Sequence, residues 1–436
     1  MIPKGGKMQK LLFLNVGTTK TLSSAIITLI NHVSPTKTIA FVTPESEEIL
    51  EDVLQKIEEP WKQIEKVQIT VDTEDPRSLE KFYRHHIVQH RGPNVRITAD
   101  ITFGKKVMAA ALMMAAVESG AETITYVGGQ RRGPTVEPGA EAVSGFSTAL
   151  FHVDNTVREA IRLYNRKMFG SAANLLQNIG EDLPTGYKEL IKTLRLLFEL
   201  FHYRDRFNYT ECVRAFQALQ EHKTLLTMLF DMAQEHVEAV FKRLDDLRQI
   251  EAFLQGQDAS EKASRLLAGE LFAAAELSAS IHRYDDAVAR YYRLAELLAQ
   301  MRLYKRGYYD MLKQRYQLPE DAVELPEWLK TMLKEKRPLG LLNSFYLLKC
   351  LGLKEAENVV EEQRGRVIYS EEANRMFNER RNRSILAHGF TPLGKEDYQE
   401  VRNFVLSLAQ SLDYKLEPLL KHLPIEKDPS EIVMNL

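Results

Sequence analysis

Nine residues near the end of the chain hold its most suggestive chemistry: Arg381-Asn382-Arg383-Ser384-Ile385-Leu386-Ala387-His388-Gly389. Two arginines, an asparagine and a histidine fall within about two helical turns, and a glycine follows them. A guanidinium holds phosphate bidentately and an imidazole moves a proton near neutral pH. The combination suits cleavage of a phosphodiester whose own 2′-hydroxyl is the nucleophile. Gly389 and Pro392 imply a helix end just after His388. A helix C-terminus favours the imidazolium, which suits this histidine to the role of an acid.

Spacing alone leaves the pairing open. Arg381 precedes His388 by seven residues, about two turns, and shares its face on a continuous helix. Arg383 precedes it by five, roughly 140° around the helix at ~100° per residue. The bare pattern R-x(4–6)-H is loose, since Arg84…His90 and Arg195…His202 also fit it. A surface helix end with unpaired basic residues is the plainer reading of the same segment.

The elements that must position such groups fall into two regimes. Over the first third, short apolar strands alternate with helices: strands at 11–15, 38–42, 67–71, 95–98 and 122–127, helices at 22–32, 46–57, 78–90 and 107–118. That alternation predicts a parallel, doubly wound α/β sheet, which binds ligands at the carboxyl ends of its strands. From about Asp154 the strand signals fade and the chain reads helical to its end. Breaks fall near 180–186, 256–260, 318–326, 337–340 and 390–394. The segments 157–177 and 282–301 share a Tyr/Ala pattern, but their separation is too irregular for a repeat array.

Composition narrows the classes. At 436 residues the chain is long enough for two or three domains, and its net charge of −2 excludes a global basic field. Two distant cysteines, Cys212 and Cys350, fit a reducing cytoplasm rather than a disulfide scaffold or zinc site. No uncharged run of about twenty apolar residues suggests a membrane span. No Asp/Glu/His cluster suggests a metal site, and no cofactor is implied.

Two strand-to-helix turns form a candidate anion site. Asn15-Val16-Gly17-Thr18-Thr19-Lys20 and Asp100-Ile101-Thr102-Phe103-Gly104-Lys105-Lys106 both follow strands and open helices. Free backbone N–H groups and helix dipoles there favour a bound anion. Thr18, Thr19 and Thr102 add hydroxyls, and Lys105 and Lys106 add charge. A third turn, running from Val127 through Gly129, Arg131 and Arg132 to Gly133, is expected after the last strand. Neither a G-x-G-x-x-G fingerprint nor a G-x-x-x-x-G-K-[ST] loop is present, which disfavours an NAD enzyme or an ATPase. The rim suits a multiply phosphorylated ligand.

The Gly-Thr turn and the run D-x-T-x-G-x-K-x-M, here Asp100 to Met108, resemble the CARF domain, a CRISPR-associated Rossmann fold that senses cyclic oligoadenylates. That family usually has a second glycine where Phe103 stands, which leaves the ring size, tetra- or hexa-adenylate, open. Arg381-Asn382 with His388-Gly389 is similar to the HEPN ribonuclease signature, whose tightest spacing, R-x4-H, selects Arg383 as the partner of His388. Tyr284 to Glu296 reads like an early HEPN helix. Arg293, Glu296 and Gln300 fall close to one face of it, either supporting the site or forming a solvated stripe of salt bridges.

CARF followed by HEPN is the arrangement of the ancillary ribonucleases of type III CRISPR systems. The resemblance implies a CARF domain over 1–150, a helical connector over 151–258 and a HEPN domain over 259–436. It implies a metal-independent endoribonuclease that cuts single-stranded RNA to 2′,3′-cyclic phosphate and 5′-hydroxyl ends. Arg383, His388, Arg381 and Asn382 are its expected catalytic groups. Gly17, Thr18, Thr19, Asp100, Thr102, Phe103, Gly104, Lys105, Lys106, Gly129 and Arg131 are expected to bind cyclic oligoadenylate. A homodimer is expected, cytoplasmic and without a membrane partner, with the activator on the two-fold axis and the helices between Asp154 and Gly256 as the coupling element. Thr18, Thr19 and Lys105 are placed for cleavage of the activator itself, although binding alone accounts for them equally. The alternative is a non-catalytic sensor whose helical half binds a protein or nucleic acid.

Overall fold

A computed structural model describes residues 8–19, 22–58, 63–132, 135–177, 179, 183–320, 322–364, 366–380, 384, 386 and 390–434. Side chains are described for these residues other than 131, 132, 135–138 and 434. The chain divides into two compact units, Met1–Asn155 and Thr156–Leu436.

The first unit alternates β1 (Gln9–Asn15), α1 (Leu22–Val33), β2 (Lys37–Val42), α2 (Glu47–Lys56), β3 (Ile64–Gln68), α3 (Pro76–Gln89), β4 (Val95–Asp100) and α4 (Lys106–Glu118). β5 (Thr123–Arg132) and β6 (Thr135–Ser147) close it. The strand order is β3-β2-β1-β4-β5-β6, parallel except for the antiparallel β5–β6 pair. β1 reads as an unbroken apolar run because both faces of the sheet are covered. Leu11 and Phe13 pack on one side with Leu79, Tyr83 and Leu112. Leu12 and Leu14 pack on the other with Ile26, Leu29 and Leu50.

Two strand expectations change. The third strand is Ile64–Gln68 rather than 67–71. Its only neighbour among the described residues, β2, stops at Val42, where the chain turns at Pro44–Ser46. Among the described residues no strand partner remains for the apolar alternation beyond the Ile69 N–H, which donates to the Val42 carbonyl at 2.9 Å. The expected turn after Val127 is instead strand. β5 runs on through Gly129 to Arg132, with a bulge between Gly129 and Arg131, because β6 supplies a ladder. β6 was hidden by Pro138, Gly139 and Gly145, residues that an edge strand tolerates.

The second unit is mostly helical. α5 (Ala149–Asn165) carries the chain out of the first unit. Then come α6 (Phe169–Gln177), α7 (Thr185–Asp205), α8 (Tyr209–Leu219), α9 (Lys223–Phe230), α10 (Gln234–Phe241) and α11 (Leu244–Leu254). The long pair α12 (Glu261–Ser280) and α13 (Tyr284–Lys305) follows, and then α14 (Glu327–Lys334) and α15 (Leu341–Cys350). Two small antiparallel hairpins interrupt the helices: β7 (Tyr309–Asp310) with β8 (Arg315–Tyr316), and β9 (Val360–Gln363) with β10 (Arg366–Tyr369). Both are too short for a period-two pattern to register in sequence. A helical turn at Glu371–Ala373 runs into a π-helix, Asn374–Arg380, and the helices Lys395–Ser411 and Pro429–Met434 end the chain.

A buried ion pair joins α7 to α12. Arg204 donates from Nε and Nη2 to Glu270 at 2.5 and 2.8 Å, and the Tyr209 hydroxyl and the Leu419 N–H complete the carboxylate's shell at 2.7 and 2.9 Å. Burial alone would raise the Glu270 carboxyl, but the Arg204 charge and these donors hold it below its ordinary value. No described helix is long and apolar enough to cross a membrane.

Candidate functional sites

In the first unit, strand order reverses between β1 and β4, the position where open α/β sheets form a ligand crevice. The turns after these two strands meet there. A Cβ placed on Gly17 would lie 3.4 Å from the Gly104 nitrogen, and one on Gly104, whose φ is +86°, would lie 3.1 Å from Asn15 Cβ. Thr18, Thr19, Lys105 and Lys106 are exposed along the rim.

The residues of the second turn divide their work. Asp100 is buried and accepts from the Thr102 N–H at 2.8 Å and the Thr125 hydroxyl at 3.0 Å. Desolvation pushes its carboxyl up to about 6 despite those donors. Thr102 Oγ1 accepts from the Val127 N–H at 2.7 Å, tying the turn to β5. Phe103 is 1 % exposed and packs in the core with Leu12 and Leu14. Its ring therefore belongs to the floor beneath the rim, not to the rim where it was expected to meet ligand. Lys105 Nζ donates to Glu74 at 2.5 Å and to Thr73 Oγ1 at 3.3 Å, and the Glu74 carboxylate holds the ammonium above its ordinary value. Gly129 lies at the β5 bulge, and the side chain of Arg131 lies outside those described.

Two rim residues escaped the sequence reading as site candidates. Asn15, at the end of β1, is buried; its Oδ1 accepts from the Tyr83 hydroxyl at 2.7 Å, while its Nδ2 has no hydrogen-bond partner among the described residues. A strand-end asparagine gives no signal for this, because Tyr83 arrives from α3. Glu74 was equally invisible, being remote in sequence from the lysine it pairs with.

In the second unit, Arg381, Asn382, Arg383 and His388 lie outside the described residues, and so does the expected shared face of Arg381 and His388. The flanks of that segment are well anchored. Ser384 is buried, and its hydroxyl donates to Asp285 Oδ1 at 2.8 Å. Asp285 Oδ2 accepts from the Leu393 N–H at 3.1 Å. Upstream, Arg380 ends the π-helix and pairs with Glu400 at 2.8 Å and Asp397 at 3.4 Å on the helix Lys395–Ser411. Irregular helical turns of this kind recur at functional sites.

A cavity of about 240 Å³ adjoins the segment, lined by Tyr292, Arg293, Glu296, Ser384 and Leu386 among others. Arg293 Nη1 lies 3.2 Å from Gln300 Oε1 and 3.5 Å from Glu296 Oε2, so the α13 face read from sequence is assembled. Asp285 and Arg380 were missed: a first-turn aspartate and one arginine in a basic run look ordinary until their partners are placed. Among the described residues, no three His, Cys, Asp or Glu side chains gather as metal ligands.

Residues 256–412 match a family model described as the Csm6 HEPN domain, and residues 153–254 match one described as the Csm6 6H domain. Among solved structures, Enterococcus italicus Csm6 bound to cyclic hexa-2′-fluoro-hexa-dAMP is similar in fold. Its TM-score is 0.60 at 13% sequence identity, covering 98% of this chain and 100% of that one. No curated protein sequence matches the chain.

Proposed function

The chain belongs to the Csm6 family of CRISPR-associated CARF–HEPN proteins, and from that premise we propose that it is a metal-independent endoribonuclease switched on by cyclic oligoadenylate. The observation that carries this reading is the HEPN match over 256–412, which contains the whole segment Arg381 to Gly389. The ligand named in the similar structure supports a cyclic oligoadenylate as the activator, and the β1–β4 crevice is the site proposed for it here. Residues 1–150 sense it, 151–258 connect, and 259–436 cleave.

Cleavage follows from the side chains. The RNA 2′-oxygen attacks the adjacent phosphorus, forming one P–O bond as the bond to the 5′-oxygen breaks. The proton of the 2′-hydroxyl passes to solvent as its oxygen attacks, and His388, as acid, gives a proton to the leaving 5′-oxygen. Arg383 or Arg381 stabilises the charge on the pentacoordinate phosphate. Products carry a 2′,3′-cyclic phosphate and a 5′-hydroxyl. One such set per chain is sparse, and two chains facing each other supply two. Phe390, 93% exposed, follows the segment and Leu386, 53% exposed, lies within it; both are the sort of apolar surface a second copy covers.

The test is cleavage of a fluorescent single-stranded RNA in EDTA, with and without cyclic tetra- or hexa-adenylate, beside His388→Ala. Activator-dependent cutting that survives EDTA and is lost in the variant is expected. A folded dimer that binds the ring and cuts nothing would overturn the ribonuclease reading in favour of a non-catalytic sensor.

A further inference from the structure

A second cavity, about 550 Å³, opens beside the one at Ser384 and shares Arg293 and Glu296 with it. From there it runs past Gln300, Arg315 of the β7–β8 hairpin and Lys336 to Gly340. Three cations face one carboxylate along this path, in a chain whose net charge is −2. Arg293 already bridges Glu296 and Gln300. Arg315 lies opposite Asp310 on the β7–β8 ladder and interacts with its charge. Arg315 Nε is buried with no hydrogen-bond partner among the described residues. Lys336 is exposed, held by a left-handed turn (φ 56°) just past α14, and makes no ion pair among the described residues.

The far end of the groove meets the start of α15. Gly340 caps that helix without a side-chain hydrogen bond, and its first turn has no acidic residue. The Tyr369 hydroxyl already takes the Leu342 N–H of that first turn, so the groove's affinity for an anion comes from its cations. Cations spaced along a groove that opens beside the motif suit a polyanion rather than an apolar partner.

Resting on the ribonuclease reading, we propose that this groove is a backbone subsite for the RNA strand. Phosphates flanking the scissile position contact Arg315 and Lys336. Arg293 and Glu296 stand where the strand passes from the motif into the groove. The contact is with the sugar-phosphate chain, so it sets length dependence and salt dependence rather than base preference.

The experiment uses the full-length protein with its activator, as wild type, Lys336→Glu and Arg315→Gln. Each is assayed on a four-nucleotide and a twenty-nucleotide RNA. The ratio of kcat/KM for long over short RNA is expected to fall on the order of tenfold in Lys336→Glu. The salt dependence of the long RNA is expected to lose about one ion. An unchanged ratio and salt slope in Lys336→Glu, in an enzyme that cuts RNA, would overturn the groove while the ribonuclease reading stands. Anisotropy with a 2′-O-methyl RNA, which cannot be cut, separates the two readings. If the wild type never cleaves, weaker binding by Lys336→Glu still upholds the groove, and equal binding sinks it and leaves the surface to an acidic protein partner.

Discussion

Asp285 Oδ1 accepts a hydrogen bond from Ser384 Oγ at 2.8 Å, linking residues 99 apart in sequence. The second oxygen of the same carboxylate accepts from the Leu393 N–H, so one side chain at the start of α13 anchors both sides of the segment that holds His388. Asp285→Ala removes both acceptors and leaves the Ser384 hydroxyl and the Leu393 N–H without this partner. Because small misplacements of a catalytic group are costly, kcat is expected to fall about 10- to 100-fold with KM nearly unchanged. Stability should drop by about 1–3 kcal/mol. Steady-state cleavage and a thermal melt on the same preparation check both, and an unchanged kcat would remove Asp285 from any positioning role.

The two arginines are separable by kinetics. Arg383→Ala is expected to lower kcat about 100- to 1,000-fold, the usual cost of removing a group that stabilises transition-state charge. Arg381→Ala should act mainly on KM, through an RNA phosphate. Single-turnover cleavage at saturating activator reads the split, and the reverse pattern would make Arg381 the partner of His388.

Gly104 holds φ +86°, and an added Cβ would crowd Asn15 at 3.1 Å. Gly104→Ala therefore carries the left-handed penalty of about 1–2 kcal/mol and pushes the two rim turns apart. The activator concentration for half-maximal cleavage is expected to rise at least tenfold, while the rate at saturation changes little. Titration of activator against cleavage rate tests this. An unshifted midpoint would place the ligand elsewhere.

Asp100 adds a pH signature to the first unit. Burial raises its carboxyl from 3.8 to about 6 in the folded chain. Its contribution to stability is thus fully present below the unfolded value and is lost as pH rises through the folded one. Asp100→Asn keeps the acceptor for the Thr102 N–H and lets the Thr125 hydroxyl reverse its role. The variant's stability relative to wild type should grow between pH 4 and pH 7, by about 3 kcal/mol at most. Denaturant melts across that range measure it, and a flat difference would mean that Asp100 stays ionised.

Glu270 has the opposite sign. Its carboxyl is held below the ordinary value by Arg204 against the pull of burial. The stability it supplies is present above the unfolded value and is lost as pH falls through the folded one. Glu270→Ala strands Arg204 inside the unit and is expected to cost about 3–5 kcal/mol. The double replacement Arg204→Met with Glu270→Leu should recover much of that, as measured by thermal unfolding. No recovery would mean that the pair's geometry, not its isolated charge, matters.

The α/β alternation, the helical second half and the rim turns were legible because each is a local pattern. An apolar run under both faces of a sheet, a Gly-Thr after a strand and a period of 3.6 need no distant partner to be read. β6 was not legible, since polar residues with Pro138 become a strand only beside β5. The two-residue hairpin at Tyr309–Tyr316, which walls the basic groove, was hidden for the same reason.

The sequence by itself determined which chemistry is available: guanidinium and imidazole in one short segment, hydroxyls and lysines at strand ends. Only the tertiary structure decided which of these groups already has a partner. It buried Phe103, paired Lys105 with Glu74, left Asn15 Nδ2 and Arg315 Nε without one among the described residues, and brought Asp285 to Ser384. The physical reason is that type and spacing are properties of the chain, whereas burial and pairing depend on residues tens to hundreds of positions away. Those distances close only when the packed core, and not the local backbone, sets the coordinates.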